Sequence, residues 1–135
     1  MKLGLLELHC LQFGDDLQQI KPWLHEEYVF NWTERLRDFS DTAHVIRQLD
    51  LVVCVDTAVA HLAGAMNRPT WLLLPYNADF RWLRARSDSP WYPSMRLFRQ
   101  TARNDWSSVV QQLNTAFDEL FNLDLQALTD AKNLK

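Results

Sequence analysis

The amino-acid sequence predicts an α/β fold, a parallel sheet of about five strands with helices on both faces. Two observations carry this prediction. The apolar run over residues 51–55 shows no alternation with polar residues and is rich in β-branched side chains, which is typical of a strand buried on both faces. The segment from Val55 to Thr70 is long enough for one helix and its turns, so the flanking strands should form a right-handed βαβ unit.

Strands are predicted where short apolar runs end at turn residues. The first run closes at Gly14, and Pro75 stops the fourth. The predicted strands cover residues 8–13, 28–30, 51–55, 70–74 and 96–98.

Three helices are predicted from capping residues and apolar periodicity. Ser40 or Asp41 caps the first, and Pro69 blocks any continuation of the second. The helices run from residue 40 or 41 to about 49, from about 58 to 66–67, and over 105–121. A chain of 135 residues with 47% hydrophobic residues fits one core, so we expect one domain over 1–122 and a polar tail over 123–135.

Composition excludes several classes of protein. The formal net charge of −3 argues against a general nucleic-acid binder, and the three glycines, at positions 4, 14 and 64, do not form a G-x-G-x-x-G dinucleotide-binding fingerprint. The longest aliphatic run, residues 51–55, is far too short to span a membrane. Cys10 and Cys54 lie in apolar runs, which favours reduced thiols and a cytoplasmic location. The four histidines show no metal-ligand spacing, so the sequence predicts no metal and no cofactor.

The most informative stretch follows the central strand. Asp56 and Thr57 lead directly into a helix whose first turn carries small residues such as Ala58, so its backbone N–H groups are open to a phosphate. The Thr57 hydroxyl and His61, four residues later, face the same side. The Asp56 carboxylate repels phosphate and is better suited to accept from sugar hydroxyls or amides. Simple helix capping by the Asp-Thr pair is the open alternative.

A local excess of arginine favours the same ligand class. The segment 81–103 carries six arginines and one acid, Asp88, a charge of +5 in a chain whose total is −3. Guanidinium groups bind phosphate in bidentate fashion, and interleaved aromatic residues can stack on a base or sugar. Arg81 and Arg84 are therefore candidates for the ligand cleft, although a packed loop with paired arginines explains the segment equally well.

Residues 50–74 resemble the donor-binding segment of the family 9 (ADP-heptose transferase-like) glycosyltransferases. Residues 89–93 and 95–100, together with 10–14 and 38–43, resemble a branch of that family often attached to tetratricopeptide repeats. The resemblance implies a GT-B architecture, in which two Rossmann-like halves face each other across a cleft. This chain resembles the C-terminal, donor-binding half.

The resemblance also implies which residues meet the nucleotide-sugar. Asp56, Thr57, Ala58 and His61 would contact the diphosphate and sugar, and Gln12 and Gly14 would lie beside the cleft. Ala58 stands where heptosyltransferases usually have glycine, a departure that bears on the identity of the sugar.

In the family, the acceptor site and catalytic base belong to the N-terminal half. The sequence therefore predicts no catalytic residue, and efficient transfer would need a partner, either an N-terminal Rossmann-like domain or a self-associated copy. Two alternatives stay open: a non-catalytic nucleotide- or phosphate-binding module, and an interaction domain with an arginine-rich face.

Overall fold

The computed structural model describes residues 6–12 and 18–133, with the backbone alone from residue 123 onward. The chain divides into two compact units, Met1–Leu49 and Asp50–Lys135. Within the described residues, no helix is both long and apolar enough to cross a bilayer.

The described residues form five strands and three α-helices. The strands are β1 (Leu8–Cys10), β2 (Val29–Asn31), β3 (Val52–Val55), β4 (Thr70–Leu74) and β5 (Met95–Arg99). The helices are α1 (Phe39–Ile46), α2 (Ala58–Ala65) and α3 (Trp106–Asn133). A short 3-10 helix, Phe80–Trp82, lies in the connection between β4 and β5.

The first unit contains the parallel pair of β1 and β2, with His9 opposite Phe30. The rings of these two residues stack at 5.0 Å, and the indole N–H of Trp32 donates to His9 Nδ1 at 2.8 Å. Because Nδ1 accepts this bond, the proton of neutral His9 lies on Nε2.

The second unit contains a three-stranded parallel sheet with β4 at its centre, between β3 and β5. Side chains of β4 alternate between two hydrophobic cores, because successive residues of a strand point to opposite faces. One core, on the α2 face, contains Ala60, Leu72, Leu74, Trp82, Met95 and Leu97. The other, on the α3 face, contains Trp71, Phe98, Val109 and Ala116. Helices thus cover both faces of this sheet.

The predicted fold class is confirmed: the structure is α/β, its strand pairs are parallel, and helices flank the sheet. The five predicted strands divide into sheets of two and three strands instead of one continuous sheet. Residues 8–10 and 29–31 form strands only three residues long that pair with each other. The long apolar runs at 52–55 and 70–74, by contrast, build the three-stranded sheet that carries the larger core.

Two helix boundaries differ from their predictions. The first helix is capped by Asp38, not by Ser40 or Asp41: the Asp38 carboxylate accepts from the amides of Ser40 and Asp41 at 2.8 and 3.0 Å. The third helix continues to Asn133, well beyond residue 121. The polar-tail prediction for 123–135 concerns side chains outside the described residues, and a single domain over 1–122 stays a prediction.

We expect Asp38→Ala to lower the free energy of unfolding by about 1 kcal/mol, because two amides of the first turn of α1 lose their acceptor. Urea denaturation measures the change. Ser40→Ala is the matched control: Ser40 is exposed and its side chain does not cap the helix, so this change should cost a few tenths of a kcal/mol at most. Equal costs for the two variants would contradict the assignment of the cap.

Candidate functional site

The candidate site lies where the edge strand β3 ends and α2 begins. Asp56 and Thr57 join the two elements, so the first turn of α2 opens at the carboxyl end of the strand. In parallel α/β sheets, ligands bind at the carboxyl ends of the strands. The positive end of the α2 dipole points to the same place.

Neither polar side chain of the Asp-Thr pair caps the helix. Thr57 occupies the N-cap position in an extended conformation, but its hydroxyl makes no capping bond. The N–H of Ala60 bonds to the Thr57 carbonyl at 3.0 Å. In the part of the chain that the structure describes, the N–H groups of Ala58 and Val59 have no hydrogen-bond acceptor. Two amide donors and one hydroxyl therefore remain available at an exposed helix terminus.

The Asp56 carboxylate is surrounded by groups from α2 and from the connection between β4 and β5. The indole N–H of Trp82 donates to Asp56 Oδ2 at 2.9 Å. The Arg81 guanidinium lies 3.9 Å from the same oxygen, and His61 Nε2 lies 3.6 Å from Oδ1. These donors offset the negative charge that would otherwise repel an anion at the neighbouring helix terminus.

His61 is fixed on three sides. Its Nδ1 lies 3.0 Å from the Tyr92 hydroxyl, its Nε2 faces Asp56, and its ring stacks on Trp82 with centroids 5.3 Å apart. A carboxylate on the Nε2 side favours the tautomer with the proton on Nε2, so the Tyr92 hydroxyl donates to Nδ1. In this tautomer the lone pair of Nδ1 accepts from Tyr92 and Nε2 carries the proton, so His61 is arranged to donate to a neighbour and not to act as a free general base.

Tyr92 reaches His61 because α2 carries glycine at position 64. A Cβ atom built on Gly64 would lie 2.5 Å from Tyr92 Cγ, so the tyrosine ring rests directly against the helix backbone. Ser89 holds the main chain of the same residue, since its Oγ accepts from the Tyr92 N–H at 3.2 Å.

The arginines of the 81–103 segment mostly have partners within the protein. Arg84 is exposed, and the structure shows it no ion pair among the described residues. Arg81 lies beside Asp56 and also bonds to Asp79 at 2.8 Å. The main-chain and side-chain N–H groups of Arg81 hold the pKa of Asp79 below its ordinary value. Further pairs are Arg86–Asp88 and Arg96–Glu119.

Arg99 holds the loop that follows Trp82. Its guanidinium donates to the main-chain carbonyls of Trp82 and Arg86, and its partial burial lowers its pKa. Between those carbonyls, Leu83 and Ala85 both have φ of 53°, a conformation that side chains with Cβ rarely adopt. The arginine therefore stabilises a strained loop directly beneath the site.

The remaining predicted site residues belong to the first unit. Gln12 is exposed, and its carbonyl accepts from the Thr33 hydroxyl at 2.7 Å. Gly14 lies outside the described residues. Both residues stay predictions as members of a donor cleft.

Cys54 precedes the site on β3 and is not a nucleophile. Burial, and secondarily the Asp56 charge, raise the pKa of its thiol to about 12. The thiol is therefore protonated at neutral pH and chemically inert. Within the described residues, no three His, Cys, Asp or Glu side chains meet in an arrangement that could hold a metal ion.

Reasoning from the sequence did not find that Trp82 and Tyr92 form hydrogen bonds to the residues of the candidate site. Both are among the aromatic residues interleaved with the arginines, but their partners Asp56 and His61 lie 26 and 31 residues away. One local sign was present: Gly64 within a helix of good helix formers indicates that another group approaches the backbone closely.

Comparison with known proteins shows that part of this chain is similar to a known family. Residues 17–73 match the model of Glycosyltransferase family 9 (heptosyltransferase). The matched residues include Asp56, Thr57, Ala58 and His61, whereas Arg81, Trp82 and Tyr92 lie beyond them. The match and the α/β fold support a family 9 glycosyltransferase-like domain.

A curated relative shows a similarity of wider extent. Protein FlbA of Caulobacter vibrioides is 30% identical over 111 residues, which cover 78% of this chain and 18% of FlbA. The chain thus spans less than a fifth of the length of that relative. No solved structure matches the chain.

Proposed function

We propose that this chain is the donor-binding half of a glycosyltransferase and binds a nucleoside-diphosphate sugar at the first turn of α2. One observation carries the proposal: the unpaired amides of Ala58 and Val59 open at the end of β3, within the segment that matches the glycosyltransferase model. Amide donors at a helix N-terminus are a recurrent means of binding diphosphates.

The neighbouring groups suit the rest of such a donor. The Thr57 hydroxyl, free of any capping role, supplies a third donor to the diphosphate. Asp56 Oδ1 and His61 Nε2 lie 3.6 Å apart, and both side chains are partly exposed. A sugar hydroxyl can therefore donate to the carboxylate and accept from the imidazole. The Arg81 guanidinium, 3.9 Å from Asp56 Oδ2, offsets the negative charge of the carboxylate and of a diphosphate bound beside it.

Sugar transfer itself requires a second half in this proposal. An inverting transfer needs a base beside the acceptor hydroxyl, and the lone pair of the neutral His61 ring already accepts from Tyr92. The acceptor half would be an N-terminal Rossmann-like domain or a self-associated copy. We place the protein in the cytoplasm and in the branch of the family associated with tetratricopeptide repeats.

The occupied lone pair of His61 also favours a second candidate function, a nucleotide-sugar-binding module without catalytic activity, because the imidazole can donate to a sugar hydroxyl but cannot act as a base toward one. The two functions differ in one outcome. Release of nucleoside diphosphate from a bound nucleotide-sugar, on addition of the acceptor half, supports the enzyme. Binding without release under the same conditions supports the module.

We expect Thr57→Ala to weaken nucleoside-diphosphate binding about fivefold, the loss of roughly one hydrogen bond of 1 kcal/mol, without altering the fold. Isothermal titration of ADP, UDP and GDP and their glucose conjugates measures the affinity. Thr115→Ala on α3, where the hydroxyl donates to the Gln111 carbonyl, is the matched control and should leave affinity unchanged. Unaltered affinity in Thr57→Ala would remove that hydroxyl from the site, and no binding of any probe to the unmodified chain would refute the proposed function.

A further inference from the structure

Trp82 lies beneath the Asp56–His61 pair and is completely buried, with 0% of its surface exposed. Its indole N–H donates to Asp56 Oδ2, and its ring stacks on the His61 imidazole. One side chain thus touches both polar residues of the candidate site from the interior. Because it is buried, it cannot itself contact a ligand.

The hydrogen bond to Asp56 determines which carboxylate oxygen faces outward. Oδ2 is occupied by the indole N–H, whereas Oδ1 lies 3.6 Å from His61 Nε2, beyond hydrogen-bond length. A carboxylate left without this donor would turn to find another, and Arg81 and His61 are the nearest cations or donors. The indole therefore keeps Oδ1 available for a hydroxyl group.

The position of Trp82 is itself fixed by its main chain. Its N–H donates to the Asp79 carbonyl at 3.1 Å, and its carbonyl accepts from the Arg99 guanidinium. The loop thus presents the indole in one orientation. Both main-chain groups of Trp82 are hydrogen-bonded, and its indole N–H donates to a carboxylate of the candidate site. Trp82 therefore does more than fill space in the core.

We propose that Trp82 is a positioning residue that orients Asp56 and His61 toward the sugar of a bound nucleotide-sugar, while the α2 amides bind the diphosphate independently. This inference rests on the proposed function. It divides recognition of the ligand between two segments. The loop between β4 and β5 controls recognition of the sugar, and the first turn of α2 controls affinity for the diphosphate.

Trp82→Phe tests the division, because it retains an aromatic ring and removes the N–H. We expect about tenfold weaker binding of the nucleotide-glucose that the unmodified chain binds, and less than a twofold change for the corresponding ADP, UDP or GDP. Trp71→Phe is the matched control: Trp71 is a buried tryptophan on the opposite face of the same sheet, so both affinities should be unchanged. A merely structural role for Trp82 would weaken both ligands equally or neither, and either result overturns the proposal.

A second measurement needs no ligand. The indole ¹H–¹⁵N signal of Trp82 should be protected from hydrogen exchange and should move upfield in Asp56→Asn, because the charge-assisted bond becomes a neutral one. If the signal is unprotected and does not move in Asp56→Asn, the positioning role is overturned, whether or not any probe binds the chain. If no probe binds, that result by itself refutes only the proposed function. Should Trp82→Phe fail to fold, β-(3-benzothienyl)alanine at this position keeps the bicyclic ring without the N–H and takes its place, with the same expected split.

Discussion

Ala58→Asp is expected to lower the affinity for nucleoside diphosphates at least about a hundredfold while leaving the fold as stable as before or more stable. Ala58 is exposed at the first helical position of α2. A carboxylate there stands next to the proposed diphosphate, and two like charges about 4 Å apart repel by about 4 kcal/mol near a protein surface. The same carboxylate interacts favourably with the helix dipole, by about 0.3–1 kcal/mol. Affinity and stability should thus change in opposite directions.

Ala65→Asp provides the matched comparison for this experiment. Ala65 is exposed at the last helical position of α2, where a negative charge opposes the dipole. This variant should be slightly less stable and should bind nucleoside diphosphates like the unmodified chain. Titration calorimetry and thermal denaturation of the two variants measure both quantities. Equal affinity in Ala58→Asp and Ala65→Asp would contradict a diphosphate site at the front of α2.

Gly64→Ala is expected to destabilise the protein by about 1–3 kcal/mol, the cost of forcing a methyl group into a packed site. On an open helix face the same change would stabilise by about 1 kcal/mol. Here the new Cβ meets Tyr92 Cγ at 2.5 Å, and the base of a ring cannot move without moving the whole side chain. The displaced tyrosine also loses its bond to His61. Urea denaturation measures the stability, and the ring signals of Tyr92 and His61 report the displacement.

The Tyr92→Ala background separates the clash from other causes, because it removes Cγ and both Cδ atoms that the new methyl group would meet. With the ring removed, the added methyl group should cost little, and Gly64→Ala should become neutral or stabilising through helix propensity. If Gly64→Ala costs as much in this background as in the unmodified chain, the close approach of Tyr92 is not the reason for glycine at this position.

The sequence was sufficient for elements whose cause is local. The strand predicted at 70–74 and the helix after Thr57 form where expected, because an uninterrupted apolar run and a break at Pro69 are local features. The opening of the first turn of α2 was also predictable, since small residues follow Asp56 and Thr57. The predicted cap of α1 was two or three residues too late because Asp38, Ser40 and Asp41 are all good capping residues.

What the sequence could not supply depends on contacts between distant segments. Periodicity does not reveal that the Trp82 indole bonds to Asp56 or that Tyr92 bonds to His61. The arginine excess was visible, and Asp79 and Asp88 lie only two residues from the arginines that they pair with. The distant acids were not visible: Glu119 lies on α3, far from Arg96 in the chain. The division into two sheets could not be predicted either, because short apolar runs do not determine which strands pair with each other.

Backbone amide spectroscopy can locate a bound diphosphate on the unmodified chain. In a ¹H–¹⁵N correlation spectrum titrated to millimolar ADP, UDP or GDP, the account predicts that the largest shifts fall on the N–H groups of Ala58 and Val59, which have no acceptor among the described residues. Val110 on the exposed surface of α3 should remain unperturbed. Shifts centred elsewhere, or no shift with any of the three nucleotides, would contradict a diphosphate site at the first turn of α2.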